Sequence, residues 1–232
     1  MPAAGRCQTP MTMAWIQKCE GVWRAEGWAG LLRRGARRLG QILCQTNAAD
    51  WYRVDLAAPR RDVPAPAVIG LTISLDNTEG AIAWMESLSG QFHYAFVQRE
   101  VDAARRFGHV YALAQVDEQP VGYIKIGFGK VYVGDLDRLL ELPADTAFVY
   151  DTFVHPAFRG RRLAPHLVAS AMACAAQRGC RYLWCHIPRW NIRSIRSFIS
   201  QGFEPCGFIR NFRLLRRWRF STRRPELLLV NR

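Results

Sequence analysis

Lysine is scarce in this sequence: Lys18, Lys125 and Lys130 are the only three among 32 basic residues. Positive charge is therefore carried by arginine, whose planar guanidinium suits bidentate phosphate contacts better than an ammonium. A GC-rich coding sequence would leave the same bias without any function. Metal-ligand spacing is missing too. Seven cysteines are scattered, Cys180 and Cys185 being the nearest pair, and the five histidines complete no ligand set around them. No metal cofactor is expected. An odd number of cysteines, with no cleavage site or long apolar run in Met1–Gly21, reads as reduced thiols in a cytoplasmic protein. No stretch reaches the roughly 20 apolar residues that span a bilayer. A soluble or peripheral protein is expected, without internal repeats or low-complexity tracts.

What is present is a foldable, strongly basic chain. It has 232 residues, half of them hydrophobic, a formal charge of +13 and a pI near 10.0. That length holds one domain with a sizeable core and one appendage. The charge points to anionic partners: phosphorylated ligands, nucleic acid or an acidic membrane face.

Residues 1–62 differ from the rest. Trp23 to Cys44 reads as a helix in which Trp28, Leu31, Leu32, Leu39, Ile42 and Leu43 recur at helical spacing between Arg33, Arg34, Arg37 and Arg38. Such a helix can lie on an anionic membrane or dock on the main domain with its arginines in solvent. Ala57–Ala67, with three prolines, reads as a linker. Residues 63–232 then form the principal domain. Strands are expected at Val68–Leu75, His109–Val116, Val121–Phe128, Ala147–Val154, Arg181–Ile187, Phe203–Leu215 and Pro225–Val230. Helices are expected at Gly80–Leu88, Val97–Phe107, Leu163–Arg178 and Asn191–Gln201, the last two ending at Gly179 and Gly202. Antiparallel strands followed by a β-α-β-α-β run predict an α/β fold: one mixed central sheet flanked by helices, preceded by the basic helical extension.

The informative stretch joins a buried strand to an amphipathic helix: Val154-His155-Pro156-Ala157-Phe158-Arg159-Gly160-Arg161-Arg162-Leu163-Ala164. Amides at a helix start lack internal partners and sit at the positive end of the dipole, so a diphosphate there receives several hydrogen bonds at once. Gly160 permits a tight backbone and Ala164 a close approach. A solvated basic loop capping the helix is the alternative.

Arg159-Gly160-Arg161-Arg162-Leu163-Ala164 resembles the pyrophosphate loop of the GNAT N-acetyltransferase superfamily, Gln/Arg-x-x-Gly-x-Gly/Ala. Downstream, Asn191-x-x-Ser194, Phe198 and Gly202-Phe203 resemble that family's Asn-x-x-Ala/Ser … Tyr … Gly-Phe segment, and the resemblance covers roughly Val68 to Leu215. It implies an acyltransferase that moves an acetyl or other short acyl group from acyl-CoA to an amine or hydroxyl without a covalent enzyme intermediate. It also implies that amides of Arg159, Gly160, Arg161, Arg162, Leu163 and Ala164 bind the pyrophosphate. Backbone groups of Phe153 and Val154 would pair with the pantetheine, Asn191 would hydrogen-bond it, and Ser194 and Phe198 would face its lower arm. Two residues depart from the pattern. Arg162 stands where Gly is usual, and Phe198 stands where many members carry the Tyr that protonates the departing thiolate.

For the acceptor's proton, Asp151 is the first candidate base, because it interrupts an apolar strand just before the loop; burial should raise its pKa. A structural Asp bracing a neighbouring loop fits equally. His186, on the next strand, is the second candidate, against a satisfied structural histidine. Tyr150 and His93 are weaker; His109, His155 and His166 read as surface or packing residues. The resemblance puts the acceptor groove at Gln91–Tyr94, Val131–Pro143 and Arg210–Arg219. The last, basic and aromatic, suits a nucleotide- or lipid-linked sugar, or is a solubilising edge strand. The partners expected are therefore an acyl-CoA and a small acceptor, with peripheral contact at an anionic membrane face. Two other readings stay open: a non-catalytic acyl-CoA-binding module, and an Arg-rich nucleic-acid binder. The latter is disfavoured by dispersed charge and the lack of a nucleic-acid motif.

Overall fold

The computed structural model describes residues 44–59, 62–75, 78–88, 97–133, 138–214, 217–223 and 228–230. Its contacts divide the chain into two units, Met1–Thr46 with Asn211–Arg219, and Asn47–Arg210 with Phe220–Arg232. The larger unit contains nearly all the described elements. In order these are β1 (Cys44–Asp55), β2 (Leu71–Ser74), α1 (Thr78–Ser87), α2 (Gln98–Phe107), β3 (Val110–Val116), β4 (Gln119–Phe128), β5 (Lys130–Val133) and β6 (Arg138–Glu141). There follow β7 (Thr146–Val154), a 3-10 turn (Pro156–Phe158), α3 (Leu163–Gln177), β8 (Tyr182–Pro188), α4 (Ile192–Ser200), β9 (Glu204–Leu214), β10 (Arg217–Arg223) and β11 (Leu228–Val230).

The main sheet has eight strands in the order β10-β9-β1-β8-β7-β4-β3-β2. A mixed sheet flanked by helices is what the alternation of elements predicts. Two differences are informative. Cys44–Asp55 is not the end of an appendage: Ala49–Asp55 pairs antiparallel with Tyr182–Pro188 along β8, so part of the expected 1–62 extension belongs to the sheet. Trp51, 1 % exposed, anchors it. The helix expected over Trp23–Cys44 otherwise lies outside the described residues, as does Gln91–Tyr94. The second difference is a separate three-stranded sheet, β11-β6-β5, in place of a single sheet. It absorbs much of Val131–Pro143, and Val131, Val133 and Leu140 pack with Trp51, Phe148 and Trp184 of the main sheet. Among the described residues no helix is long and apolar enough to cross a membrane.

Both faces of the central strands are covered, so they read as nearly continuous apolar runs. One face carries Ala112, Ala114, Ile124, Ile126 and Val149 under α3 and α4. The other carries Tyr111, Leu113 and Tyr123 under α1 and α2. β3 and β4 are joined by Asp117-Glu118, both at positive φ (49° and 63°), a two-residue hairpin of the kind the right-handed strand twist favours.

α3 buries Leu163, Leu167, Val168, Ala171, Met172, Cys174 and Ala175, one face at helical spacing. It ends where Gly179 turns left-handed: the Gly179 N–H donates to Ala176 O (3.0 Å) and the Cys180 N–H to Ala175 O (3.0 Å), the double bond of a Schellman motif. The expected linker is fastened to the domain at its far end. The Ala67 N–H donates to Arg161 O (3.1 Å), and His166 Nε2 lies 3.0 Å from Pro64 O, a contact in the segment where His166 was expected only to pack or face solvent.

Candidate functional site

β7 and β8 run parallel but hydrogen-bond only from Thr146/Tyr182 to Val149/Cys185. Past that point β7 stays with β4, reaching Gly122/Val154, while β8 stays with β1, reaching Ala49/Pro188. The two parallel strands therefore part. Beyond the parting lies a cleft of about 1110 Å³ walled by the end of β7, the loop into α3 and the first turns of α4.

Ten of the eleven residues expected at the donor site line this cleft: Phe153, Val154, Arg159, Gly160, Arg162, Leu163, Ala164, Asn191, Ser194 and Phe198. Arg161 does not; its guanidinium lies 5.2 Å from the centre of the Phe158 ring and its carbonyl accepts from Ala67. Sequence reasoning missed Thr152, Phe158, Pro165 and Ser197, and also the outer group Trp190, Ile192, Arg193 and Arg196. Three of these are arginine or tryptophan flanking Asn191, a signal that was available. No residue lining the cleft is acidic, while Arg159, Arg162, Arg193 and Arg196 all line it. This is an anion site by composition as well as by shape.

The loop is built locally. His155 Nδ1 accepts from the Ala157 N–H (3.3 Å) and starts the 3-10 turn, Pro156 occupying its first position. Arg159 Nε then donates to Val154 O (3.1 Å), which occupies one of that carbonyl's two lone pairs. Gly160 takes φ 79°. Arg162, at the position where glycine is usual, is the N-cap of α3 at φ 62°, ψ 21°. The left-handed conformation costs a non-glycine residue about 1–2 kcal/mol, so the departure keeps the glycine-type backbone and adds a guanidinium.

Asn191 is the N-cap of α4, its Oδ1 accepting the Ser194 N–H at 3.2 Å. Nδ2 and the second lone pair of Oδ1 remain for the expected Asn-to-ligand contact. At the other end of α4 the Gly202 N–H donates to Ile199 O (3.0 Å) and the Phe203 N–H to Phe198 O (3.2 Å). Phe198 and Phe203 meet edge to face with centroids 4.9 Å apart, the apolar contact that closes a Schellman motif. The spaced Asn … Phe … Gly-Phe pattern is therefore the start and stop of one helix. Phe198 is 3 % exposed and offers no proton.

The candidate acid–base residues lie elsewhere. A register shift between β4 and β7 pairs Lys125 with Asp151 and Ile126 with Val149, leaving Tyr150 as an extra residue. The bulge turns Tyr150 and Asp151 toward the same face, the one under α1 and α2. Asp151 is not the enclosed carboxylate expected; its side chain is 35 % exposed and Lys125 Nζ lies 3.1 Å from Oδ2. The Tyr123 hydroxyl donates to the same oxygen at 2.6 Å. Lys125, 4 % exposed, also meets Glu100 Oε2 at 2.8 Å. His186 is 8 % exposed and lies against Phe148, rings nearly parallel (9°) and centroids 5.8 Å apart, away from the cleft lining. Tyr150 is partly buried, and desolvation pushes its phenol well above the usual range. His93 lies outside the described residues. Among the described residues no cluster of His, Cys, Asp or Glu could hold a metal ion.

His109, expected to pack or face solvent, is buried and hydrogen-bonded, with Nε2 3.0 Å from Lys130 O and Nδ1 3.3 Å from Tyr150 Oη. The carbonyl only accepts, so Nε2 carries the proton. The single Tyr150 hydroxyl proton goes to Tyr111 Oη (2.7 Å), so the 3.3 Å approach of Nδ1 is a polar contact without a shared proton, and Tyr111 donates to Glu100 O (3.2 Å); burial pushes the Tyr111 phenol up to about 12. Burial lowers His109 from 6.5 to about 4. The unfolded chain gains a proton below pH 6.5 that the fold refuses until about pH 4, so stability is lost as pH falls through that window. The loss should approach about 3 kcal/mol. Urea unfolding at pH 7 and pH 4.5 checks it, since His109→Gln should flatten the difference.

The comparisons agree with this geometry. A family model described as the GNAT acetyltransferase family matches residues 79–203. No curated protein matches the sequence. Among solved structures, a GCN5-related N-acetyltransferase from Sphaerobacter thermophilus aligns with TM-score 0.54 at 15% identity, over 78% of this chain and 56% of its own. A Drosophila protein solved as a structural genomics target aligns with TM-score 0.52 at 16% identity, over 82% of this chain and 58% of its own. The chain thus spans under three fifths of either structure. The ribosomal-protein-S18-alanine N-acetyltransferase of Escherichia coli aligns at TM-score 0.45 and 15% identity, over 58% of this chain and 77% of its own. The fold, the parted parallel strands and the family match over residues 79–203 together make this chain a member of the GNAT acetyltransferase family.

Proposed function

We propose that this protein transfers an acetyl or other short acyl group from acyl-CoA to a small amine or hydroxyl acceptor. The observation that carries the reading is the cleft at the parted strands, lined by four arginines and no carboxylate. Its volume, about 1110 Å³, exceeds the ~300–1,000 Å³ of ordinary ligand pockets and suits a long anionic ligand. The free amides at the start of α3 supply donors to a diphosphate, and Ala164 leaves room for it. An extended arm can then run along the part of β7 that β8 leaves.

Direct transfer is favoured because none of Cys174, Cys180, Cys185 and Cys206 lines the cleft, and burial raises all four thiols. The acceptor nitrogen or oxygen forms its bond to the acyl carbon as the carbon–sulfur bond breaks. Asp151 takes the acceptor's proton directly or through water. Both of its internal contacts fall on Oδ2, leaving Oδ1 for the acceptor. His186 is the second candidate base. Phe198 protonates nothing, so the departing thiolate takes its proton from solvent. That same residue favours the second reading, a module that binds acyl-CoA without turnover. The charge of +13 supports an anionic acceptor such as a nucleotide- or lipid-linked sugar and peripheral contact with an anionic membrane face.

Acetyl-CoA should raise the melting temperature, and thiol release should follow when sugar, polyamine or peptide acceptors are added. Asp151→Asn should lower turnover at least about tenfold with CoA affinity unchanged. Equal turnover would make Asp151 structural, and no stabilisation by any CoA ester would sink the reading.

A further inference from the structure

The diphosphate loop uses only one side of the cleft. The remaining lining comes from the turn after β8 and the first turns of α4, where Trp190, Arg193 and Arg196 line the same space. Trp190 is 78 % exposed. A large aromatic ring among the lining residues of a cleft provides a face on which a base can stack. Arg193 and Arg196 stand three residues apart on one helix, where side chains are neighbours and like charges repel. Both are exposed, and among the described residues neither makes an ion pair. Nothing acidic stands in the first turn of α4 to offset them. Arg159, by contrast, is tied to Val154 O on the loop side. The cleft lining therefore takes its guanidinium groups from two segments, Arg159 and Arg162 on the loop and Arg193 and Arg196 on α4, with the exposed Trp190 just before α4.

We infer that this second segment binds the nucleotide end of the acyl donor: Trp190 stacks on the adenine, and Arg193 with Arg196 grips the ribose 3′-phosphate. This rests on the acyl-CoA reading above and deepens it. A phosphomonoester near neutral pH carries about 1.5 to 2 negative charges, more than one phosphate of a diphosphate ester, and two guanidinium groups match it in charge and in number of donors. Aromatic stacking accepts any base without strict geometry, which suits a ring as exposed as Trp190. The terminal phosphate thereby becomes a determinant of which acyl carriers are used, and carriers that end at phosphopantetheine lose those contacts.

Calorimetry on the full chain tests this with CoA, 3′-dephospho-CoA and 4′-phosphopantetheine. The unaltered protein should bind CoA about tenfold or more tightly than 3′-dephospho-CoA. R193A/R196A should lose about that factor for CoA and nothing for 3′-dephospho-CoA. Trp190→Ala should weaken both nucleotides several-fold and leave 4′-phosphopantetheine unchanged. Equal affinity of the unaltered protein for CoA and 3′-dephospho-CoA would overturn the assignment while leaving the acyl-CoA reading intact. So would a preference that survives in R193A/R196A. Failure of the unaltered protein to bind any of the three overturns both. All three side chains are exposed, so the variants should fold, and an unchanged melting temperature without ligand verifies it.

Discussion

Lys125→Met should lower the unfolding free energy by about 3–5 kcal/mol, seen as a fall in the urea midpoint at constant slope. Lys125 is 4 % exposed at its side chain and stands between Glu100 Oε2 at 2.8 Å and Asp151 Oδ2 at 3.1 Å. The rings of Tyr111, Tyr123 and Tyr150 surround its ammonium at 5.7, 5.5 and 5.8 Å. Methionine keeps most of the volume of the side chain, so the loss comes from charge rather than from a cavity. It leaves two carboxylates facing each other, Glu100 only 11 % exposed, with the compensating cation gone. Replacing one partner of a buried pair is costly, whereas removing the whole group together is much less so. Adding Glu100→Gln and Asp151→Asn to Lys125→Met should therefore recover a large part of the loss. A midpoint unchanged in Lys125→Met would mean that the tyrosines and solvent screen the carboxylates unaided.

Ala164→Glu should weaken CoA binding by about two orders of magnitude while leaving stability unchanged or slightly raised. Ala164 is the second residue of α3, directly after Arg162 and Leu163, and lines the cleft. A carboxylate there benefits from the positive end of the helix dipole by about 0.3–1 kcal/mol, which sets the sign of the stability change. The same carboxylate occupies the space and the field that an incoming diphosphate needs. Calorimetry and thermal unfolding on one sample separate the two effects, and opposite signs are the signature of an anion site. Loss of both together would instead mean that the loop had collapsed. Ala164→Gln, similar in size but neutral, should lose less affinity, and the gap between the two variants measures the charge contribution.

What the sequence carries openly is what is local. The ends of α3 and α4 are legible because Gly179 and Gly202 close them with bonds spanning only a few residues. The Arg159–Ala164 loop is legible for the same reason. β1 is not. Asn47 to Asp50 is polar or small, and the strand exists because it pairs with β8 more than 100 residues later. The three- and four-residue strands of the second sheet are too short to show a period. The environment of Asp151 was hidden in a register: the shift that brings it opposite Lys125 involves strands 26 positions apart, and no local pattern encodes it. One signal was nevertheless available, since Lys125 is a rare lysine inside the otherwise uncharged strand Val121–Phe128 and calls for a buried acid. Phe198 illustrates the reverse case. Its spacing was read as chemistry, whereas the structure gives it the apolar contact that stops a helix.

The parting of β7 from β8 after Val149 and Cys185 also bears on self-association. A sheet margin normally presents its backbone to the outside, where any extended segment of another molecule can dock and propagate aggregates. Here such a margin is enclosed between two strands of one sheet, each held on its far side by β4 or β1. A further polypeptide strand would have to satisfy both neighbours over only a few residues and carry side chains past α3 and α4. A thin, unbranched chain meets no such obstacle. The fold thus shields this margin from the strand pairing by which other proteins would dock on it.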